Sequence, residues 1–196
     1  FKKAINDDPN FADAYLELGR LYYFSENYND ALNAFEKYSK LQPGSVDGET
    51  YIAKVKYGQK KYDEALEILE NVVKNNPDKD LSSAYKYMAY VYNEKEDYVK
   101  ALDYFKLVNK NIFDTEDYIK LAQIYGNTKD FTNANANFNL AIAADSTDPN
   151  IYYQIGLMNF NEKKYDEAAT NFEIAIQMGS KQLAAYVYKG LSLYSQ

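Results

Sequence analysis

Catalysis needs titratable, nucleophilic or metal-ligating side chains held together, and this chain offers carboxylates almost alone. It carries 29 Asp and Glu against 22 Lys and Arg, with no His and no Cys. Imidazole catalysis, thiolate chemistry, disulfides and His- or Cys-based metal sites are thereby excluded. The carboxylates cluster at Asp7-Asp8 and around Asp145 and Asp148. Neither cluster has the ligand spacing of a calcium loop, and both stand where helix exits are expected, so these Asp residues cap and turn the chain. Nothing drives any acidic pair into a shared cleft, as glycoside hydrolysis requires. No glycine-rich phosphate loop or nucleophile elbow occurs. The expectation is no enzyme, no cofactor and no metal. Arg20 is the sole arginine and the net charge is −7, whereas phosphate backbones call for a basic face rich in Arg, so nucleic acid is not the expected partner. Binding chemistry is better supplied: 22 Tyr and 10 Phe offer large contact area at low entropy cost, the composition of binding hot spots.

The elements that would present these rings show as a repeat. An aromatic, an Ala three residues on and an apolar residue four beyond recur as Tyr28, Ala31, Phe35; Tyr62, Ala65, Leu69; Tyr98, Ala101, Phe105; Phe131, Ala134, Phe138; and Tyr165, Ala168, Phe172. Upstream lie Tyr15, Leu18, Gly19, Tyr22; Tyr85, Met88, Ala89, Tyr92; Tyr118, Leu121, Ala122, Tyr125; and Tyr152, Ile155, Gly156. Offsets of three, four and seven mark one face of a helix. Each unit therefore reads as two helices of about 14 residues, roughly 21 Å long. Pro43 and Pro77 close second helices, Asp148-Pro149 opens a first one, and Asp63-Glu64 and Asp166-Glu167 complement the dipole in first turns. No segment alternates as a half-buried strand would, and no apolar run approaches the roughly 18 residues of a membrane span.

These residues resemble the tetratricopeptide repeat (TPR) family, whose 34-residue unit carries an aromatic, Leu-Gly/Ala and Tyr on helix A, then Ala, aromatic and Ala on helix B. The resemblance covers the whole chain. It implies an all-α, right-handed superhelical solenoid of antiparallel helix pairs, with full repeats at 12–45, 46–81, 82–114, 115–148 and 149–182. Residues 1–11 then match the tail of a helix B and 183–196 the start of a helix A. Both ends fall inside repeats, so the chain is expected to be a piece of a longer protein.

The resemblance also implies a non-catalytic scaffold that binds a peptide or partner helix on the concave face formed by A helices. On that register the partner-binding residues are Arg20, Tyr23, Tyr51, Lys54, Tyr57, Lys86, Tyr87, Tyr90, Lys120, Gln123, Tyr153 and Leu157. The alternative for each tyrosine is packing between adjacent A helices. Arg20, Lys54, Lys86 and Lys120 fall on successive A helices, yet Leu16, Thr50, Tyr90 and Gln123 stand where the chaperone-binding carboxylate clamp of the family has its partners. The alternative function is structural, self-association through exposed repeat ends or an intramolecular scaffold on the rest of the same chain, and a carbohydrate-binding helical module is a third. The bias to Lys, Asn and Tyr points to a bacterial genome, and the lack of Cys leans toward a periplasmic or envelope location.

Repeat 46–81 departs from the family pattern at Glu49, Lys56 and Gly48, and is expected to be the softest unit, a hinge. Where the family proline is missing, after Phe113, Ser146 and Ser180, Asp, Thr and Ser must cap instead. The small residues, Gly19, Ala53, Ala89, Ala122, Gly156 and Gly190 with the five helix-B alanines, let paired helices approach. Ala101→Leu should therefore cost about 1–3 kcal/mol by overpacking; unchanged urea denaturation would count against this register.

Overall fold

A computed structural model describes residues 1–195. It holds twelve α-helices and, among the described residues, no strand: α1 (Lys2–Asp7), α2 (Ala12–Phe24), α3 (Tyr28–Leu41), α4 (Val46–Gly58), α5 (Tyr62–Asn75), α6 (Ser82–Glu94), α7 (Tyr98–Leu107), α8 (Thr115–Asn127), α9 (Phe131–Ala144), α10 (Pro149–Asn161), α11 (Tyr165–Gln177) and α12 (Leu183–Tyr194). The chain forms two compact units, Phe1–Asn109 and Lys110–Gln196. The first contains α1–α7; the second starts with a 3-10 turn at Lys110–Ile112 and contains α8–α12.

Inside each unit, an A helix and the B helix that follows pack across residues without bulk. Ala31, Ala65, Ala101, Ala134 and Ala168 of the B helices are all fully buried, as are Ala53, Ala89 and Ala122 of the A helices. Phe35, Leu69, Phe105, Phe138 and Phe172, four residues beyond the helix-B alanines, are buried beside them. A Cβ on Gly19 would lie 2.6 Å from the Phe35 ring, and one on Gly156 would lie 2.7 Å from the Phe172 ring. Only a glycine admits an aromatic ring that close. The first unit's largest core cluster joins Leu66, Leu69 and Val72 of α5 to Met88 and Val91 of α6, and the second unit's joins Ile119 of α8, Phe138 of α9 and Ile151 of α10.

Helix ends follow the local chemistry. Ser45 accepts a hydrogen bond from the Gly48 amide, Asp97 from Lys100, Asp130 from Asn133 and Asp148 from Asn150. Asp114 and Asp117 cap α8 reciprocally: Asp114 accepts from the Asp117 amide at 3.1 Å and donates its own amide to the Asp117 carboxylate at 2.8 Å. Asp114 and Asp148 thus supply the side-chain capping expected after Phe113 and Ser146, whereas α12, after Ser180, opens behind Gln182 with no side-chain cap. α7 is the exception to the expected helix length, with 10 residues. Val108, extended at ψ 131°, is buried instead of continuing the helix, and the Asn109 amide donates to Ser82 Oγ at 3.2 Å.

Repeat 46–81, expected as a hinge, is packed without interruption at its atypical positions. Gly48 is buried, and a Cβ there would lie 3.1 Å from Ser39 Cβ, so this glycine brings α3 and α4 together and α4 runs unbroken across it. Glu49 accepts from Ser39 Oγ at 2.8 Å and Lys56 pairs with Glu64 at 2.7 Å. The division between compact units falls instead at Asn109/Lys110, where helix B has lost a turn.

The turn from helix A to helix B has one form throughout. Glu26, Lys60, Glu96, Lys129 and Lys163 all take left-handed backbone, with φ between 58° and 63°. In each turn the amide of the following residue reaches the carbonyl five residues before it, as in Asn27 to Tyr22 at 2.9 Å and Asp130 to Tyr125 at 2.8 Å. This is a Schellman closure, in which glycine is the usual left-handed residue; Gly179 (φ 88°) takes that place after α11. A non-glycine residue there costs about 1–2 kcal/mol. Lys60→Gly should stabilise the protein by about 0.5–1 kcal/mol once the added freedom of the unfolded chain is subtracted. Gly179→Ala should move the urea midpoint the opposite way.

Candidate functional site

The A helices of the first unit, α2, α4 and α6, bring eight of the expected residues together, seven of them at the surface of one groove and Tyr90 beneath it. Gly19 sets its floor: with no Cβ above it, the Phe35 ring rises against α2 and stacks on Tyr51 with centroids 4.8 Å apart and planes at 11°. The Tyr51 hydroxyl accepts from Arg20 Nε at 3.0 Å and from a second guanidinium nitrogen, while Arg20 Nη1 pairs with Glu17 at 2.7 Å. Burial opposes the Arg20 charge, but the Tyr51 contacts and Glu17 more than offset it, and the guanidinium is held above its ordinary pKa.

Lys54 stands among rings. Its Nζ lies 4.6 Å from the Tyr23 ring centre, 5.5 Å from Tyr87 and 5.9 Å from Phe24, where the negative ring faces attract a cation. Tyr57 packs 6.2 Å from Tyr87 and 5.9 Å from Tyr90, and its hydroxyl donates to Glu94 at 3.3 Å. Tyr90 is 2% exposed, resting between Tyr87 and Phe105. Its ring therefore supports the groove from beneath and presents no surface to a partner in this conformation. Lys86 lines a hollow with Asp47, Thr50, Tyr51, Lys54, Ser83 and Tyr87, beside a second hollow lined by Arg20, Tyr23, Phe24, Phe35, Tyr51 and Lys54.

The other four expected residues belong to the second unit. Lys120 and Gln123 are half-buried on α8, and Tyr153 and Leu157 half-buried on α10. The Tyr153 ring lies 5.8 Å from Phe172, which sits under Gly156 and stacks on Tyr188 at 5.8 Å and 23°. Tyr188 holds the place in α12 that Tyr51 holds in α4, and Leu157 the place in α10 that Arg20 holds in α2. The glycine, phenylalanine and tyrosine device thus recurs in the second unit with Leu157 where the first has a guanidinium.

Sequence reasoning missed Asp47 and Ser83, although each stands four residues before a groove tyrosine, on the same helical face. Phe35, read from the sequence as core, is fully buried and backs the hollow from beneath Tyr51. Among the described residues no group of three or more His, Cys, Asp or Glu is placed to hold a metal ion, and no helix is long and apolar enough to cross a membrane.

Paired helices stacked in order, each pair closed on small residues, define a helical-repeat solenoid. Sequence models described as tetratricopeptide repeat match residues 25–87, residues 1–33, and residues 118–148 and 149–182. The chain belongs to the tetratricopeptide repeat family. No curated protein matches it in sequence. Among solved structures it is similar to a chain of the APC/C hetero-tetramer Cut9-Hcn1, with TM-score 0.87 and 17% identity over 98% of this chain and 38% of that one. It is also similar to a thermophilic TPR protein of Thermus thermophilus (TM-score 0.74, 20% identity, 93% of this chain and 99% of that). A third is YrrB, described as a TPR protein with an unusual peptide-binding site (TM-score 0.63, 19% identity, 97% of each chain). The chain spans well under half the length of the first of these.

Tyr62, Tyr98, Tyr104 and Tyr153 are all held above the ordinary tyrosine pKa of 10.0, first by burial, with added charge from Glu94 at Tyr62 and Glu96 at Tyr98. The fold favours their neutral forms, so this stability is fully present below about pH 10 and is lost as pH rises through the raised values. Denaturation measured from about pH 8 upward should show this contribution constant to about pH 10 and falling above it. Tyrosinate absorbance should include a fraction titrating later than in the urea-unfolded chain; a single midpoint shared by both states would contradict the burial of these rings.

Proposed function

We propose that this chain is a non-catalytic protein-interaction scaffold whose A-helix groove takes an extended peptide or a partner helix. The observation that carries this reading is the convergence of Arg20, Tyr51, Lys54, Lys86 and Tyr87 around two adjoining hollows on one face of the first unit. Their cavity volumes, about 80 Å³ and 130 Å³, suit single side chains, whereas small-molecule sites run to about 300–1,000 Å³. Tyr23 and Tyr57 extend the contact set, with Tyr90 packed beneath it. Lys120, Gln123, Tyr153 and Leu157 form the contact set of the second unit. The likeness in fold to a TPR protein described by its peptide-binding site supports a polypeptide ligand.

Self-association is the second reading. On α12, Leu183, Tyr186, Leu191 and Leu193 are exposed, and Gly190 has open space above it where Gly19 and Gly156 hold phenylalanine rings.

The two readings separate in one experiment, in which the wild type and a Tyr51→Ala, Tyr87→Ala double variant of matched melting behaviour are used to retain partners from lysate and envelope fractions. A partner held by the wild type should lose about 30-fold or more in affinity for the variant, the loss expected when hot-spot aromatics are truncated. Equal retention by both would remove the groove as the site. No partner, together with a mass that rises with concentration, would favour self-association.

A further inference from the structure

We propose that the hollow between α2 and α4 is an anchor site for one aromatic side chain of the bound segment. This rests on the groove reading above and names what that groove selects.

The hollow exists because of Gly19. The Phe35 ring, admitted against α2 and fully buried there, stacks flat on Tyr51 and fixes that ring in the wall of the hollow. Tyr23 and Phe24 stand beside it, and Arg20 and Lys54 complete the lining. With about 80 Å³ of cavity, it admits one side chain.

The rim decides which one. Arg20 has its guanidinium carbon 5.1 Å from the Tyr51 ring centre, and Lys54 its ammonium 4.6 Å from that of Tyr23. A guest ring entering between them turns its negative face toward two cations already held in place. An aliphatic guest gains the same burial without that attraction. A Lys or Arg guest meets like charge on both sides. A carboxylate gains Lys54 as its one partner, finds Arg20 already bound to Glu17, and must leave water for a hollow walled by Tyr23, Phe24 and Tyr51. The order of preference is therefore aromatic, then aliphatic, with charged side chains last. In the second unit Leu157 stands at Arg20's place over the equivalent Phe172–Tyr188 stack, so that stack lacks the guanidinium half of this rim.

The test uses a random dodecapeptide library displayed on phage and panned on the purified chain. Selected sequences are synthesised with acetylated and amidated ends, so that no terminal charge contributes, and measured by fluorescence anisotropy. Binders should centre on a Phe, Tyr or Trp whose replacement by Leu weakens binding roughly threefold to tenfold. Lys54→Met should shrink the Phe-to-Leu ratio toward one, and Phe24→Ala, which removes a wall 79% exposed, should weaken aromatic peptides without altering the melting curve. Binders that lack an aromatic yet lose affinity to Tyr87→Ala would overturn the anchor and leave the groove reading standing. Binders indifferent to both Tyr87→Ala and Phe24→Ala would overturn both. If no peptide is selected, N-acetyl-phenylalaninamide at about 10 mM must still shift the amide resonances of residues around Arg20 and Lys54; a silent spectrum overturns the anchor.

Discussion

The approach of paired helices across residues without bulk is the constraint on which the rest of the molecule depends. Five fully buried helix-B alanines and the small residues facing them set that separation. Gly19 and Gly156 carry it furthest, admitting aromatic rings to distances no side-chain carbon would tolerate. Once Phe35 and Phe172 occupy those places, the next A helix is positioned by the ring: Tyr51 stacks on Phe35, and Tyr188 on Phe172. A local packing rule thereby becomes a rule of succession from one repeat to the next, as expected where each unit rests on its neighbours.

The same constraint explains the turns. Helices drawn this close must be joined in three residues, and a Schellman closure does that at the expense of left-handed backbone. The chain accepts this at Glu26, Lys60, Glu96, Lys129 and Lys163 with no glycine to ease it. The two amide-to-carbonyl bonds of each closure, with the half-buried rings of Tyr28, Tyr62, Tyr98, Phe131 and Tyr165 that follow them, offset the strain. Where the next connection is longer, as after α7, the chain instead releases the helix early and buries Val108.

The groove inherits its electrostatics from this scaffold. A chain of net charge −7 nevertheless places Arg20 and Lys54 side by side in one face, each held against ring faces. On the proposed peptide-binding reading, cations fixed in this way would lose less freedom on binding than mobile surface lysines do, which would favour recognition by orientation over bulk attraction. In the second unit the same Gly–Phe–Tyr stack has Leu157 beside it, so one architectural device carries two different surface chemistries.

Residue order alone dictated the all-helical architecture, the helix pairs and their registry, because an amphipathic period and a small residue opposite an aromatic are local patterns that repeat in the chain. The candidate groove was legible to the same extent: helical spacing places Arg20, Tyr51, Lys54 and Tyr87 on one face. Folding decided what no single helix encodes. Tyr90 shares the face of its neighbours but is covered by Tyr87 and Phe105 from separate positions, and Gly48, a helix breaker by propensity, is a packing contact because Ser39 lies opposite. The left-handed turns were illegible because Glu and Lys carry no preference for that backbone; tertiary closure imposes it. Depth, burial and the side of a ring that meets a cation depend on which residues of other helices arrive at the same place, and that is a property of the packed chain.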